Sequence, residues 1–175
     1  MILRVWALVK AGLCLALCMI LPLLTGQIPE IGKMLSPMHI PVLLCGFVCG
    51  WPWGAAVGLI APLLRFLIFG MPYIFPTGVA MMGELMVYGA AAGFFYQRLP
   101  DKPWAVYASL IAAMVIGRLA WGAVQWMLLV AGSIQFSFQA FLAGAFLQAW
   151  PGIICHLLII PPVVIALQKA GLTEK

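Results

Sequence analysis

Charge is what this sequence most lacks. Charged residues make up 7% of it against 66% hydrophobic ones, and its acidic residues number 4: Glu30, Glu84, Asp101 and Glu174. An ordinary soluble domain carries roughly 25% charge, so no water-facing globular surface can be made from these residues. No soluble-looking stretch is long enough for a second domain, and 1–175 reads as one transmembrane unit. Catalytic signatures are missing too. There is no G-x-x-x-x-G-K-[ST] phosphate loop, no H-E-x-x-H and no G-x-S-x-G, so the chain has no recognisable route to ATP hydrolysis and is not expected to be an enzyme. His156 has no second His, Asp or Glu at helical spacing around it, so a metal site is not expected there, and no cofactor is expected either. The formal +5 charge has no basic patch behind it beyond the flanks of apolar runs, which argues against nucleic acid as a partner. The 5 cysteines are odd in number and lie in apolar runs. Cys14/Cys18 and Cys45/Cys49 are one helical turn apart and read as small packing residues, with no disulfide framework.

What the sequence does have is a succession of long apolar runs. Spans are expected at approximately 3–24, 38–50, 53–70, 77–98, 104–131 and 138–169, which makes an all-α integral membrane protein, a six-helix transmembrane bundle. The organising stretch is Met34 to Gly70, two apolar runs joined by Trp51-Pro52-Trp53 and too close in sequence to be anything but an antiparallel pair in lipid. Arg4 and Lys10 precede a long core without a cleavage site, so the first run reads as a retained helix and not a signal peptide. The second run is short for a ~30 Å hydrocarbon layer. Ahead of it, Thr25 to Pro37 is the one polar connection of any length. Its Gly26, Pro29, Gly32 and Pro37 exclude a regular helix, and it reads as a lid or gate that can dip into the membrane. With the N-terminus inside, Arg4, Lys10, Arg98, Lys102, Lys169 and Lys175 are cytoplasmic and Lys33 alone is outside, so both termini are expected in the cytoplasm.

Ionisable side chains inside a bilayer cost about 2.5–3.5 kcal/mol each on insertion scales, and those present usually face a bundle interior or a wet cavity. Arg65 falls near the outer end of the third span, Glu84 about two turns below the outer start of the fourth, and Arg118 near the middle of the fifth. His39 caps the second span at the outer face, with Lys33 in the loop above it. Together they predict one polar, outward-opening cavity in which two guanidiniums face one carboxylate. The surplus positive charge favours an anionic or acceptor-rich solute. Tyr88 and Trp121 are candidate stacking surfaces beside it. Trp126, Tyr73 and Phe75 lie in the same zone, where belt anchoring is an equal reading for Trp126 and Tyr73, and Trp51, Trp53 and Trp104 read as belt residues of the inner interface. His156, placed near the inner side of a 138–169 span bent by Pro151-Gly152 and Pro161-Pro162, reads as a hydrogen-bonded interior histidine. Small residues one turn apart mark close helix contacts at Gly46/Gly50, Gly54/Gly58 and Gly89/Gly93, and at Ala7/Ala11 and Gly12/Ala16 on the first span.

Several of these blocks form a pattern. The H-x-P-x-L-x-x-G opening from His39 to Gly46, the glycines at 50, 54 and 58, Phe75-Pro76-Thr77, Gly117-Arg118, Pro151-Gly152 and the small-residue first helix resemble the substrate-binding S component of energy-coupling factor (ECF) vitamin transporters. The resemblance implies a bacterial plasma-membrane protein that binds a water-soluble vitamin or precursor in an outward-facing pocket. It implies uptake with a transmembrane coupling subunit and two cytoplasmic ATPases, the S component toppling in the membrane to deliver its ligand. The site would draw on Lys33, His39, Arg65, Glu84, Tyr88, Arg118 and Trp121, with the first outer loop closing over the ligand. Ala7/Ala11 or Gly12/Ala16 would meet the coupling subunit. The two arginines incline the choice of vitamin toward an anion such as pantothenate. The rival readings are a self-contained carrier or channel and a membrane enzyme.

Overall fold

The computed structural model describes residues 2–24, 36–132, 137–144 and 149–173, and no strand occurs among them. The helices in chain order are α1 (Ile2–Leu24), α2 (His39–Cys49), α3 (Trp51–Phe69), α4 (Val79–Arg98), α5 (Pro103–Val130), the short α6 (Phe138–Leu142) and α7 (Trp150–Lys169). A π-type turn over Ile74–Gly78 leads into α4. Five helices are long and apolar enough to cross a membrane, namely α1, α3, α4 with its leading turn, α5 and α7. With 11 residues, α2 is only about 16 Å long, roughly half of the hydrocarbon layer. The lid or gate expected over Thr25 to Pro37 lies, but for Ser36 and Pro37, outside the described residues.

Two boundaries differ from those the sequence suggests. Gly50 alone joins α2 to α3, at φ 85° and ψ 170°, a region open in practice only to glycine. Trp51-Pro52-Trp53 is no joint but the first turn of α3, where proline fits because the opening N–H groups of a helix have no partner within it. The run expected over 138–169 contains two helices, α6 and α7, and α7 opens at Trp150 with Pro151 again in the first turn. That restart moves every residue of the last helix relative to the bundle end.

Contacts along α4 set the directions. Trp51 lies against Gly93, Gly54 against Gly89 and Gly58 against Leu85, so α3 runs antiparallel to α4. His39 lies near Glu84 and Tyr88, Gly46 on Gly89 and Ala92, and Phe47 against Tyr96, so α2 runs parallel to α4. α5 returns antiparallel, with Val124 at Gly83 and Gly117 at Tyr88. α1 opposes α2, placing Cys14 beside Cys45 and donating a thiol hydrogen bond from Cys18 to the Met38 carbonyl at 3.7 Å. Lys10 Nζ donates to the Leu172 carbonyl at 2.8 Å, so α1 begins at the end of the bundle where α7 finishes.

The tightest contact is backbone on backbone. A Cβ on Gly54 would lie 2.6 Å from the Gly89 carbonyl oxygen and 2.7 Å from the Gly46 Cα, so α2, α3 and α4 meet at a point where no side chain fits. Around that point lie two apolar clusters. One joins α2, α4, α5 and α7 through Leu43, Phe47, Tyr96, Leu110 and Ile160. The other joins α1 to α2, α3 and α4 through Ala11, Cys14, Cys45, Val57 and Leu85.

Candidate functional site

Four helices bring polar side chains to one place in this apolar bundle. His39 is the first residue of α2, Glu84 and Tyr88 lie on one face of α4 a turn apart, Arg118 comes from the middle of α5 and His156 from the second turn of α7. Arg118 Nη1 stands 2.9 Å from Glu84 Oε1, and His39 Nε2 approaches the same oxygen at 3.5 Å. The Tyr88 hydroxyl is within hydrogen-bonding reach of Glu84. Its ring stands edge-on to His39, centroids 5.1 Å apart, and the His39 and His156 rings stack at 5.9 Å with planes 22° apart. Gly117 makes room for Tyr88: a Cβ there would sit 2.7 Å from the ring.

His39, Glu84 and His156 are each no more than 4% exposed. Yet among the described residues His39 Nδ1, both His156 nitrogens and Arg118 Nε have no hydrogen bond of good geometry, while Glu84 Oε1 and His39 Nε2 face each other and Arg118 Nη1. The Ser36 backbone is the polar group that approaches the His156 ring. A buried polar atom without a partner costs about 1–3 kcal/mol, and most folded proteins hold few of them. Four such atoms gathered from three helices mark a polar place whose partners are not found among the described residues. Among the described residues no group of three or more His, Cys, Asp or Glu could hold a metal ion.

The structure therefore brings together His39, Glu84, Tyr88 and Arg118, and it separates Arg65 from them. Arg65 is buried in the last turns of α3, donates Nη1 to the Met19 carbonyl of α1 at 3.4 Å and lies 5.3 Å from the Phe69 ring centroid. The expected arrangement of two guanidiniums facing one carboxylate is thus absent: a single guanidinium, that of Arg118, reaches Glu84. Trp121, one turn beyond Arg118, is half-buried and stacks on Phe141 at 6.1 Å. Tyr73, Phe75 and Trp126 are exposed, as lipid-belt side chains are. Lys33 lies outside the described residues.

His156 is the member that the sequence reading placed elsewhere. Counted within a 138–169 span it falls near the inner side as a hydrogen-bonded interior residue. With α7 starting at Trp150 it sits about 9 Å from the helix start, level with His39, and its nitrogens lack good hydrogen bonds. The signal was present in Trp150-Pro151-Gly152, since a proline at the first helical turn marks a helix start.

On α1 the two small-residue patterns face opposite ways. Ala7 and Ala11 are buried in the bundle, at 2% and 3% exposure, whereas Gly12 and Ala16 point outward and nothing lies within 4 Å of a Cβ placed on Gly12.

Comparison with known proteins places this bundle. The family model described as "ECF transporter, substrate-specific component" matches residues 7–164. No curated protein and no solved structure matches the chain.

Proposed function

This chain belongs to the substrate-specific components of ECF transporters, and from that membership we propose that it captures a water-soluble vitamin or vitamin precursor in the cluster around Glu84. Delivery across the membrane depends on an ATP-driven module made of a coupling subunit and two cytoplasmic ATPases. The observation that carries this reading is the set of buried, unmatched polar atoms on His39, Arg118 and His156 around the Glu84 carboxylate. A bundle needing only to pack has no use for them, because each adds cost in lipid. A transporter subunit of this kind binds and releases its solute unchanged, so we assign it no enzymatic role.

The preference for an anion such as pantothenate depended on a surplus of guanidinium charge, and Arg65 does not contribute to one. What supports docking of the coupling subunit is the outward face of α1 through Gly12 and Ala16, where the backbone is open to close approach. Ala7 and Ala11 serve the bundle instead. The positive flanks support a bacterial plasma-membrane protein with both termini cytoplasmic.

Reconstitution separates this reading from a self-contained carrier. Purified protein in liposomes should bind its vitamin in stoichiometric amount and move none of it, and uptake should begin when coupling subunit, ATPases and ATP are added. Uptake by the chain alone would replace the proposal with a carrier or channel.

A further inference from the structure

The kind of solute follows from the charges that surround the cluster. Arg118 and Glu84 form a contact pair at 2.9 Å whose charges cancel. Arg65, the other guanidinium of this half of the bundle, is committed to the Met19 carbonyl and the Phe69 ring. Between residues 36 and 97 the chain has no charged side chain but Arg65 and Glu84, and between 103 and 168 none but Arg118. The carboxylate and guanidinium of the site therefore sum to no net charge. A carboxylate or phosphate brought here would either stay uncompensated in a low-dielectric interior or take Arg118 away from Glu84, and breaking a buried pair is costly.

The unmatched atoms ask for something else. A neutral imidazole presents one N–H donor and one nitrogen acceptor in the plane of its ring. His39 Nε2 faces Glu84 and the Ser36 backbone approaches His156, which leaves His39 Nδ1, a His156 nitrogen and Arg118 Nε to serve as donors or acceptors from three different helices. Resting on the binding role proposed above, we infer that the site takes an uncharged solute rich in both donors and acceptors, held between His39 and His156 while the Glu84–Arg118 pair stays closed. Such a solute satisfies the ring nitrogens without importing charge, and by bridging α2 to α7 it ties the last helix to the core.

The test uses matched pairs that differ in charge: riboflavin and flavin mononucleotide, panthenol and pantothenate, nicotinamide and nicotinate. Each is titrated calorimetrically into the full chain in lipid nanodiscs. The expected result is that an uncharged member binds and its anionic partner binds about tenfold or more weakly. His156→Ala should weaken that binding about tenfold, the equivalent of one buried hydrogen bond. His156→Gln, which keeps one donor and one acceptor, should recover part of the loss and also guards against a folding defect in the alanine variant. An anion that binds more tightly than its uncharged partner would overturn the inferred solute class and leave the binding role standing, as would unchanged affinity in both His156 variants. Failure of all six compounds to bind would remove the binding role as well.

Discussion

At the scale of single residues, Glu84 is the side chain on which the site depends. Its Oε1 meets Arg118 at 2.9 Å and His39 at 3.5 Å in surroundings that are otherwise apolar. Arg118→Met should destabilise the protein by about 3–5 kcal/mol, because it leaves a buried carboxylate with an imidazole and a phenol hydroxyl beside it but no cation paired to it. The double variant Glu84→Gln/Arg118→Met should be more stable than that single one. Reversible unfolding in mixed micelles, with Glu84→Gln as the other single variant of a double-mutant cycle, reads the difference; losses that simply add would mean that the pair is not coupled. The cost of ionisable groups in lipid was enough to single out His39, Glu84 and Arg118 from the sequence, since depth along a helix follows from its rise. Direction around the axis does not, because packing sets it. Arg65 has a depth compatible with the site and yet turns to α1, where Pro22 breaks the helical hydrogen bonding close to the Met19 carbonyl.

At the scale of elements, the glycines of α2, α3 and α4 and the single glycine of α1 have opposite consequences. A Cβ on Gly58 would stand 2.7 Å from the Met86 backbone nitrogen, and backbone cannot rotate away as a side chain can. Gly58→Ala should therefore lose about 1–3 kcal/mol by overpacking, whereas Gly12→Ala, with open space around it, should change stability by no more than about 0.5 kcal/mol. The same contrast separates folding from docking on α1. Gly12→Leu should leave the thermal midpoint and ligand affinity as they are and abolish co-purification with the coupling subunit. Ala7→Leu should lower the midpoint, because Ala7 is buried. Retention of the coupling subunit by the Gly12→Leu protein would move the docking face elsewhere. Sequence spacing revealed that both patterns on α1 permit close contact, but spacing alone cannot say which one the bundle uses. That depends on where α2 and α3 lie, and it is settled by the cysteine and alanine contacts of the buried face. The last helix shows the same dependence: apolar composition is continuous across 138–169, and only the proline at the first turn of α7 betrays the restart.

At the scale of the whole molecule, orientation decides whether the site can collect a solute from outside. α1 opposes α2, α2 runs with α4, and α5 runs against α4, so the start of α1, the Arg98 end of α4 and the Lys102 start of α5 share one end of the bundle. The Lys10 contact with Leu172 adds the end of α7 to it. Among the described residues Arg4, Lys10, Arg98, Lys102 and Lys169 flank spans on this side, and the positive-inside rule predicts that this end faces the cytoplasm. The opposite end holds the starts of α2 and α4 and, about 9 Å from the start of α7, His156. A fluorescent protein that matures only in the cytoplasm should therefore glow when fused to either terminus. Alkaline phosphatase, active only outside, should be silent after Pro100 and active after Gly132. The reverse pattern would point the mouth of the cluster toward the cytoplasm. A site facing that way could not load from the medium, and the capture role would fail however well His39, Arg118 and His156 fit their solute.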